Sequence, residues 1–421
     1  MSQTNLVNKR EEQQSRYDYN ISGRHRSGLV WRLIFQVSTL IGIIALVALL
    51  FNIGNQAFGL AAIENEIDPE NLAVNGVALE DLDQATLVQI FQSNVSTGLY
   101  RRFESEQPFS DRSQADLLSL IREWVIEPDA VETWTLTDSL FRRDLIEAQM
   151  GDQFPEAELQ WVSWLNADFV GSPQSSNAAK AGVRTAILGS LWTILITILF
   201  AFPIGVGAAI YLEEYASDNF INRLIQTNIN NLAGVPSIIY GILGLAIFVR
   251  LLEPITSGTV FGLVADPTTA NGRTILSAGL TLGLLILPLI IINAQEAIKA
   301  VPNSLRQASF GLGGTKWQTV LHHVLPNAMP GILTGTILAI SRAIGETAPL
   351  VVVGASTYIT VDPDGPFSKF TTLPIQIFQW TARPQDQFRN LAAAAIIVLL
   401  ILLLTMNASA VLLRNRFQRR L

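Results

Sequence analysis

Long apolar runs separated by short polar segments set the pattern of this chain. Six stretches, at approximately 33–53, 186–212, 229–249, 274–293, 331–354 and 391–413, are apolar over roughly 20 residues or more. A helix of that length crosses a hydrocarbon core of about 30 Å. Five of the stretches carry no charge, and the fifth in order carries two, Arg342 and Glu346. The pattern predicts an all-α polytopic membrane protein with six transmembrane helices. The first run follows a tail that reaches Arg32 and exceeds the roughly 7–15 apolar residues of a signal peptide. It is therefore read as a retained anchor, with 1–29 as a cytoplasmic tail and 30–53 as the first transmembrane helix.

Between the first two runs lies a segment of different character. Residues 52–184 hold 22 acidic and 8 basic side chains, whereas the rest of the chain holds 13 acidic and 20 basic. Leu79–Val95, Ser113–Glu127 and Thr137–Gly151 place apolar residues three and four apart, which predicts helices. Pro108, Pro128, Pro155 and Pro173 punctuate them. The expectation is a helical extracytoplasmic acidic insertion at 54–180, followed by a membrane core at 181–421. Its excess of carboxylates argues against phosphate binding within the insertion and against a nucleic-acid partner. Trp124, Trp134, Trp161 and Trp164 are candidate anchors for its packing. With no cysteine in 421 residues, disulfide frameworks, zinc ribbons, iron–sulfur clusters and thiol catalysis are excluded.

Lys and Arg in short loops orient a membrane protein, since they are retained on the cytoplasmic side. With the amino terminus inside, the inner segments hold Lys9, Arg10, Arg16, Arg24, Arg26, Arg32, Arg223, Lys299, Arg306, Lys316, Arg414, Arg416, Arg419 and Arg420. The short outer loops hold only Arg250, Arg273, Lys369, Arg383 and Arg389. Both termini are expected in the cytoplasm.

Two segments suggest mechanism. Arg342 lies eleven residues beyond Gly331, about 16 Å into its span at ~1.5 Å per residue. A charge near mid-bilayer costs about 2.5–3.5 kcal/mol on insertion scales, so it must face protein or water rather than lipid. Glu346, four residues on, is placed to pair with it. A guanidinium can hold an oxyanion with two parallel hydrogen bonds. Gly331, Gly335 and Ala339 line one face of the same span, a pattern that favours close helix packing. Pro203 and Pro236 are candidate kinks.

The second segment is the inner loop 294–330. Ser304 and Gln307 have the spacing of a capping box, which predicts a helix start. Gly311, Gly313 and Gly314 end that helix, and Thr315-Lys316-Trp317 opens another that is expected to close at Leu325-Pro326. Gly313-Gly314-Thr315-Lys316 is not a phosphate loop, because Thr stands where Gly must precede Lys. His322 and His323 are adjacent and point about 100° apart on a helix, which does not suit a shared metal.

This loop resembles the coupling loop of bacterial ABC importer permeases, whose pattern is E-A-A, three residues, G, nine residues, I-x-L-P. Here the register runs Gln307-Ala308-Ser309, Gly313, His323, Val324, Leu325-Pro326, with Gln, Ser and His in place of Glu, Ala and Ile. The segments 231–241, 209–216, 341–349 and 373–384 are similar to PstA-type permeases of phosphate importers, and the likeness covers roughly 175–421.

The resemblance implies a MetI-like permease that performs no bond chemistry and binds no cofactor. ATP and Mg would be used by a partner ATPase docked on Gln307, Ala308, Ser309, Gly313, Leu325 and Pro326. Substrate would pass along Arg342 and Glu346. The implied partners are a second permease subunit of PstC type, two ATPase copies of PstB type, a periplasmic phosphate-binding protein of PstS type, and membrane lipid. The implied location is the inner membrane. Two alternatives stay open: a permease for another oxyanion such as molybdate or sulfate, or a membrane-anchored sensor with 54–180 as ligand domain. An intramembrane enzyme would need a nucleophile–base or metal pair in the spans, and none stands out.

Overall fold

Six apolar runs become helices, but two of them are not straight. The computed structural model describes residues 21–74, 76–155, 157–263, 271–356 and 358–418. Most of the expected tail at 1–29, with Lys9, Arg10 and Arg16, and the terminal Arg419 and Arg420, lie outside the described residues. The chain divides at Gly54 into two units. The first unit carries helix α1, Ile21–Ala57, up to Gly54. This helix begins earlier than the expected 30–53.

The second unit opens with strand β1, Phe58–Asn65. Helices α2 (Gln84–Asn94), α3 (Thr97–Glu106) and α4 (Gln114–Ile121) follow, and α4 continues as a π-turn to Ile126. Strand β2 is Pro128–Thr133, helices α5 and α6 are Leu136–Phe141 and Arg143–Gln153, and strand β3 is Glu158–Ser163. The three predicted helical segments of the insertion are present, but the insertion is not wholly helical. Its strands form an antiparallel sheet of order β2-β1-β3, with Ala61 opposite both Thr133 and Gln160. Helical spacing missed β1 because its middle residues are buried on both faces, so it shows no period-two alternation.

Residues 66–127 leave the sheet after β1 and return to it at β2, forming a lobe with its own core. Leu87, Phe91, Leu117 and Ile121 are buried there. Ser113 caps α4 through a full capping box with Asp116. Those hydrogen bonds hold the Asp116 carboxyl below its ordinary range. Of the four tryptophans, Trp164 joins the buried core beside Phe169, whereas Trp161 is exposed.

The membrane core follows. Helix α7 is Arg184–Ile210 and continues as a π-turn to Tyr215. Helix α8, Phe220–Leu232, meets α9, Ser237–Gly244, at a bend of 107°, and a π-turn extends α9 to Leu251. The span expected at 229–249, with Pro236 as a candidate kink, is therefore an elbow. Pro236 ends the hydrogen-bonding pattern there, and Gly234 leaves the turn free of side-chain bulk. Helix α10, Ile275–Lys299, is the central helix, packed on α7 and α9. A Cβ at Gly279 would stand 2.6 Å from Ile196, and one at Gly283 would stand 2.5 Å from Phe200. These glycines let α7 and α10 approach closely. Thr197 donates to the Thr193 and Gly279 carbonyls, at 2.8 and 3.0 Å, so its buried hydroxyl is satisfied.

Helix α11, Asn303–Gly311, and the long helix α12, Lys316–Gly345, form the inner turn and the next span. Short helix α13, Ala348–Val353, continues that span beyond a break. Helix α14, Leu373–Thr381, and the last span α15, Asp386–Gln418, complete the chain. Five helices are long and apolar enough to cross a membrane among the described residues, and the α8–α9 elbow supplies a sixth candidate.

Candidate functional site

Helix α12 packs on α10 through its small residues. A Cβ at Gly331 would lie 2.8 Å from that of Ala297, and Gly335 sits directly against Asn293. The expected ridge of Gly331, Gly335 and Ala339 is thus real, and Ala339 is buried in the same cluster as Ile286 and Ile290. Continuing this antiparallel register places Arg342 near Ile286, which is about midway along Ile275–Lys299. Arg342 sits at the middle of the bundle even though it occupies the last turn of α12.

The helix stops there because Pro349 removes a donor and its ring would meet the carbonyl of Gly345. Glu346 adopts extended backbone, φ −76° and ψ 122°, before α13 restarts the span. The expected continuous helix over 331–354 is therefore broken at the ionic pair. Arg342 Nε stands 3.4 Å from Glu346 Oε1. The Arg342 side chain is 47% exposed and that of Glu346 only 17%. Among the described residues, the two Nη groups of Arg342 have no hydrogen-bond partner.

The α8–α9 elbow stands close by. A Cβ at Gly241 would lie 2.7 Å from Pro349 Cα, so α9 rests directly on α13. Tyr240 Oη donates to the Leu232 carbonyl at 2.7 Å and ties the elbow together, within electrostatic reach of Arg342. No local sequence pattern connects Tyr240 to a residue a hundred positions later.

The inner face carries the second group of candidates. Helix α11 starts at Asn303 with Pro302 as its cap residue, and no side chain caps it. Ser304 and Gln307 do not form the expected capping box. The box belongs instead to Thr315 and Gln318, whose side chains each satisfy the other's backbone N–H. Gly313 adopts φ +81°, a left-handed turn that favours glycine. Ser309 is buried, with its hydroxyl 2.8 Å from that of Thr319, and this contact clasps the two arms of the turn.

Gln307 and Ala308 are exposed, as are Phe310 and Trp317, and Leu312 at the tip is 90% exposed. Leu325 and Pro326 do not close the second helix. The helix runs through them by way of a π-turn at Val320–Val324, which absorbs the N–H that Pro326 lacks. Both residues are half-buried, and Leu325 packs on the core cluster instead of sharing the surface of Gln307 and Ala308.

Arg306 anchors the turn from below. Its Nη2 lies 2.7 Å from Glu214 Oε1, and it also donates to the carbonyls of Val301 and Ile298 at 2.7 and 3.0 Å. Lys316 sits 5.1 Å over the ring of Tyr215, from the same π-turn as Glu214.

Residues 201–421 match the family described as binding-protein-dependent transport system inner membrane component. The chain belongs to this family. Its members named below are permeases, and the chain is a membrane component rather than an enzyme. It is 33% identical over 237 residues to the probable ABC transporter permease protein YqgI of Bacillus subtilis, covering 56% of this chain and 74% of that protein. It is 36% identical over 206 residues to the phosphate transport system permease protein PstA of Mycobacterium leprae, covering 48% of this chain and 61% of that one. A PstC protein of Pasteurella multocida is 33% identical over 201 residues, with 46% and 62% covered. The chain thus spans about three fifths of the length of several of these relatives. Among solved structures, the inward-facing MetNI methionine ABC transporter aligns at 18% identity and a TM-score of 0.41, over 56% of this chain and 95% of that one.

Proposed function

We propose that this chain is the PstA-type permease subunit of an ATP-driven importer of inorganic phosphate. The observation that carries the reading is the half-exposed guanidinium of Arg342 at a helix break midway along the bundle, with neither Nη group hydrogen-bonded among the described residues. The names of the PstA relatives point to the same substrate.

In this reading Arg342 holds two phosphate oxygens with its planar fork as the anion passes. Glu346 compensates the cation when the path is empty, which lowers the cost of keeping a charge at that depth. The broken backbone at Glu346 is tolerated because it lines a path and not lipid. Phosphate reaches the path from a periplasmic binding protein of PstS type. The inner turn, with Gln307, Ala308 and Gly313 at its surface, Ser309 clasping its arms from inside, and Leu325 and Pro326 supporting it, docks one of two ATPase copies of PstB type. ATP and Mg act in that partner. A second permease subunit of PstC type completes the path. Both termini face the cytoplasm, and residues 54–180 lie outside.

The test is uptake of radiolabelled phosphate into proteoliposomes that hold the assembled complex with ATP inside and the binding protein outside. Molybdate and sulfate are added as competitors. Phosphate uptake insensitive to both supports the reading. Molybdate or sulfate uptake in place of phosphate overturns it.

A further inference from the structure

The α5–α6 corner carries an apolar surface that the transport reading leaves without a role. Leu140 is 62% exposed, Phe141 84% and Leu145 67%. They lie on the side of the corner away from its packing contacts. Ser139 is buried and accepts from the Leu60 backbone at 2.8 Å, and Ile146 is buried under α6. The corner is thus firmly seated on the sheet while three large apolar side chains point away from it.

Two hydrogen bonds set the height of this corner. Asn55 Oδ1 accepts from the Thr137 backbone at 2.7 Å. On the other side, Asn390 Nδ2 donates to Thr133 Oγ1 at 2.9 Å, and Asn390 immediately precedes the apolar run that opens at Leu391. Gln387, one turn earlier in α15, donates to the Ala130 carbonyl. The segment 133–137 is therefore held at one end by Asn390, at the level where the last apolar run begins, and at the other by Asn55.

We propose that the α5–α6 corner is a foot on the membrane surface, with Leu140, Phe141 and Leu145 entering the headgroup–acyl boundary of the adjoining leaflet. Apolar side chains at this depth are what interfacial segments use. Continuity with the start of the last span selects phospholipid as the occupant. Electrostatic attraction to anionic lipid is not the driving force. Arg142 is paired with Asp138 at 3.3 Å and Arg143 with Glu147 at 2.9 Å, and Asp144 and Asp152 add further negative charge. The foot therefore holds equally well at high salt and on zwitterionic lipid. It would keep the sheet level against the bilayer while the acidic lobe 66–127 stands clear of it. The inference rests on the reading that the chain spans a bilayer, but not on which side the insertion faces or on what is transported.

The absence of cysteine allows a direct test. Leu140→Cys, Phe141→Cys and Leu145→Cys are made singly in the full chain. Each variant is nitroxide-labelled and reconstituted in phosphatidylethanolamine–phosphatidylglycerol vesicles. Label collision with oxygen and with a water-soluble nickel chelate is then compared. Leu404→Cys on the last span is the lipid control and Gln153→Cys the aqueous one. The oxygen-to-nickel ratio at the three foot positions should exceed that at Gln153 severalfold and hold in high salt. A ratio equal to that at Gln153 means water covers the corner, and shielding from both reagents means protein covers it. Either result overturns the proposal. A phospholipid with a photoreactive acyl chain tests the unmodified protein. It should label the peptide around 136–147 as well as 391–413, and labelling of the second alone overturns the proposal too.

Discussion

Arg306 and Glu214 stand 92 residues apart in the chain and meet at 2.7 Å, with side chains only 15% and 9% exposed. The pair, with Lys316 over the Tyr215 ring, ties the inner turn to the end of α7. Glu214→Gln removes the counter-charge of a buried cation, which keeps only neutral acceptors such as the Val301 and Ile298 carbonyls and Asn303 Oδ1. Breaking such a pair costs about 3 kcal/mol. Thermal unfolding in detergent should fall accordingly, and the turn should become protease-sensitive. An unchanged transition would show that the pair carries no structural weight.

Gly313 has φ +81°, and a Cβ built there meets nothing within 4 Å. Any cost of substitution is therefore backbone strain and not a clash, about 1–2 kcal/mol for an L-residue. Asn tolerates this conformation better than a β-branched residue does. Gly313→Asn should keep most ATPase co-purification, and Gly313→Val should lose most of it with the spans still inserted. Equal retention by both variants would remove the turn geometry from the docking argument.

Arg342→Gln should abolish phosphate uptake while expression and assembly persist. Arg342→Lys should rescue poorly, since a point charge does not reproduce the planar fork. The exchange Arg342→Glu with Glu346→Arg moves the cation from the last turn of α12 to the extended residue beyond it. It should restore assembly without uptake. Uptake near wild type in the exchanged protein would reduce the pair to a structural role.

Glu127 is the single non-glycine residue at positive φ among those described, at +42°. Its carboxylate receives Lys180 Nζ at 2.5 Å, and that ammonium also lies 4.1 Å over the Trp124 ring. The hydrogen bond from Lys180 holds the Glu127 carboxyl below its ordinary range. A lowered folded-state value means the stabilisation is complete above the unfolded value of 4.5 and is lost as pH falls through the folded one. The junction of the lobe with the sheet should open in acid below that range, seen as faster amide exchange around 122–128. Glu127→Gln should exchange faster at neutral pH and lose the acid dependence. A wild-type profile in that variant would refute the assignment.

Ser110 and Thr315 are both exposed. Ser110 lies on the insertion lobe and Thr315 on the inner turn. A membrane-impermeant thiol reagent added to intact cells should label Ser110→Cys and spare Thr315→Cys. The reverse pattern would invert the topology.

Much of this protein was legible in one dimension. The six apolar runs, the acidic insertion and the four-residue spacing of Arg342 and Glu346 follow from periodicity and charge, which are local properties of the chain. The small-residue face of α12 was legible for the same reason. Proline positions were visible as well, and so were Pro203 and Pro236 as candidate kinks, but not which of the prolines break a helix. Pro203, Pro288 and Pro326 lie within continuous helices, while Pro236 and Pro349 stand at breaks. The difference is tertiary, because a helix continues through proline only where neighbouring helices and adjusted turns satisfy the freed carbonyls. Ser304 with Gln307 and Thr315 with Gln318 share the capping-box spacing, and the fold decides which helix starts on which residue. The sheet, the clamp of Arg306 on Glu214, and the meeting of Tyr240 with the Arg342 level join residues tens to hundreds of positions apart. Local pattern carries no information on such pairs. They exist only because packing α10 among its neighbours brings those residues to one place.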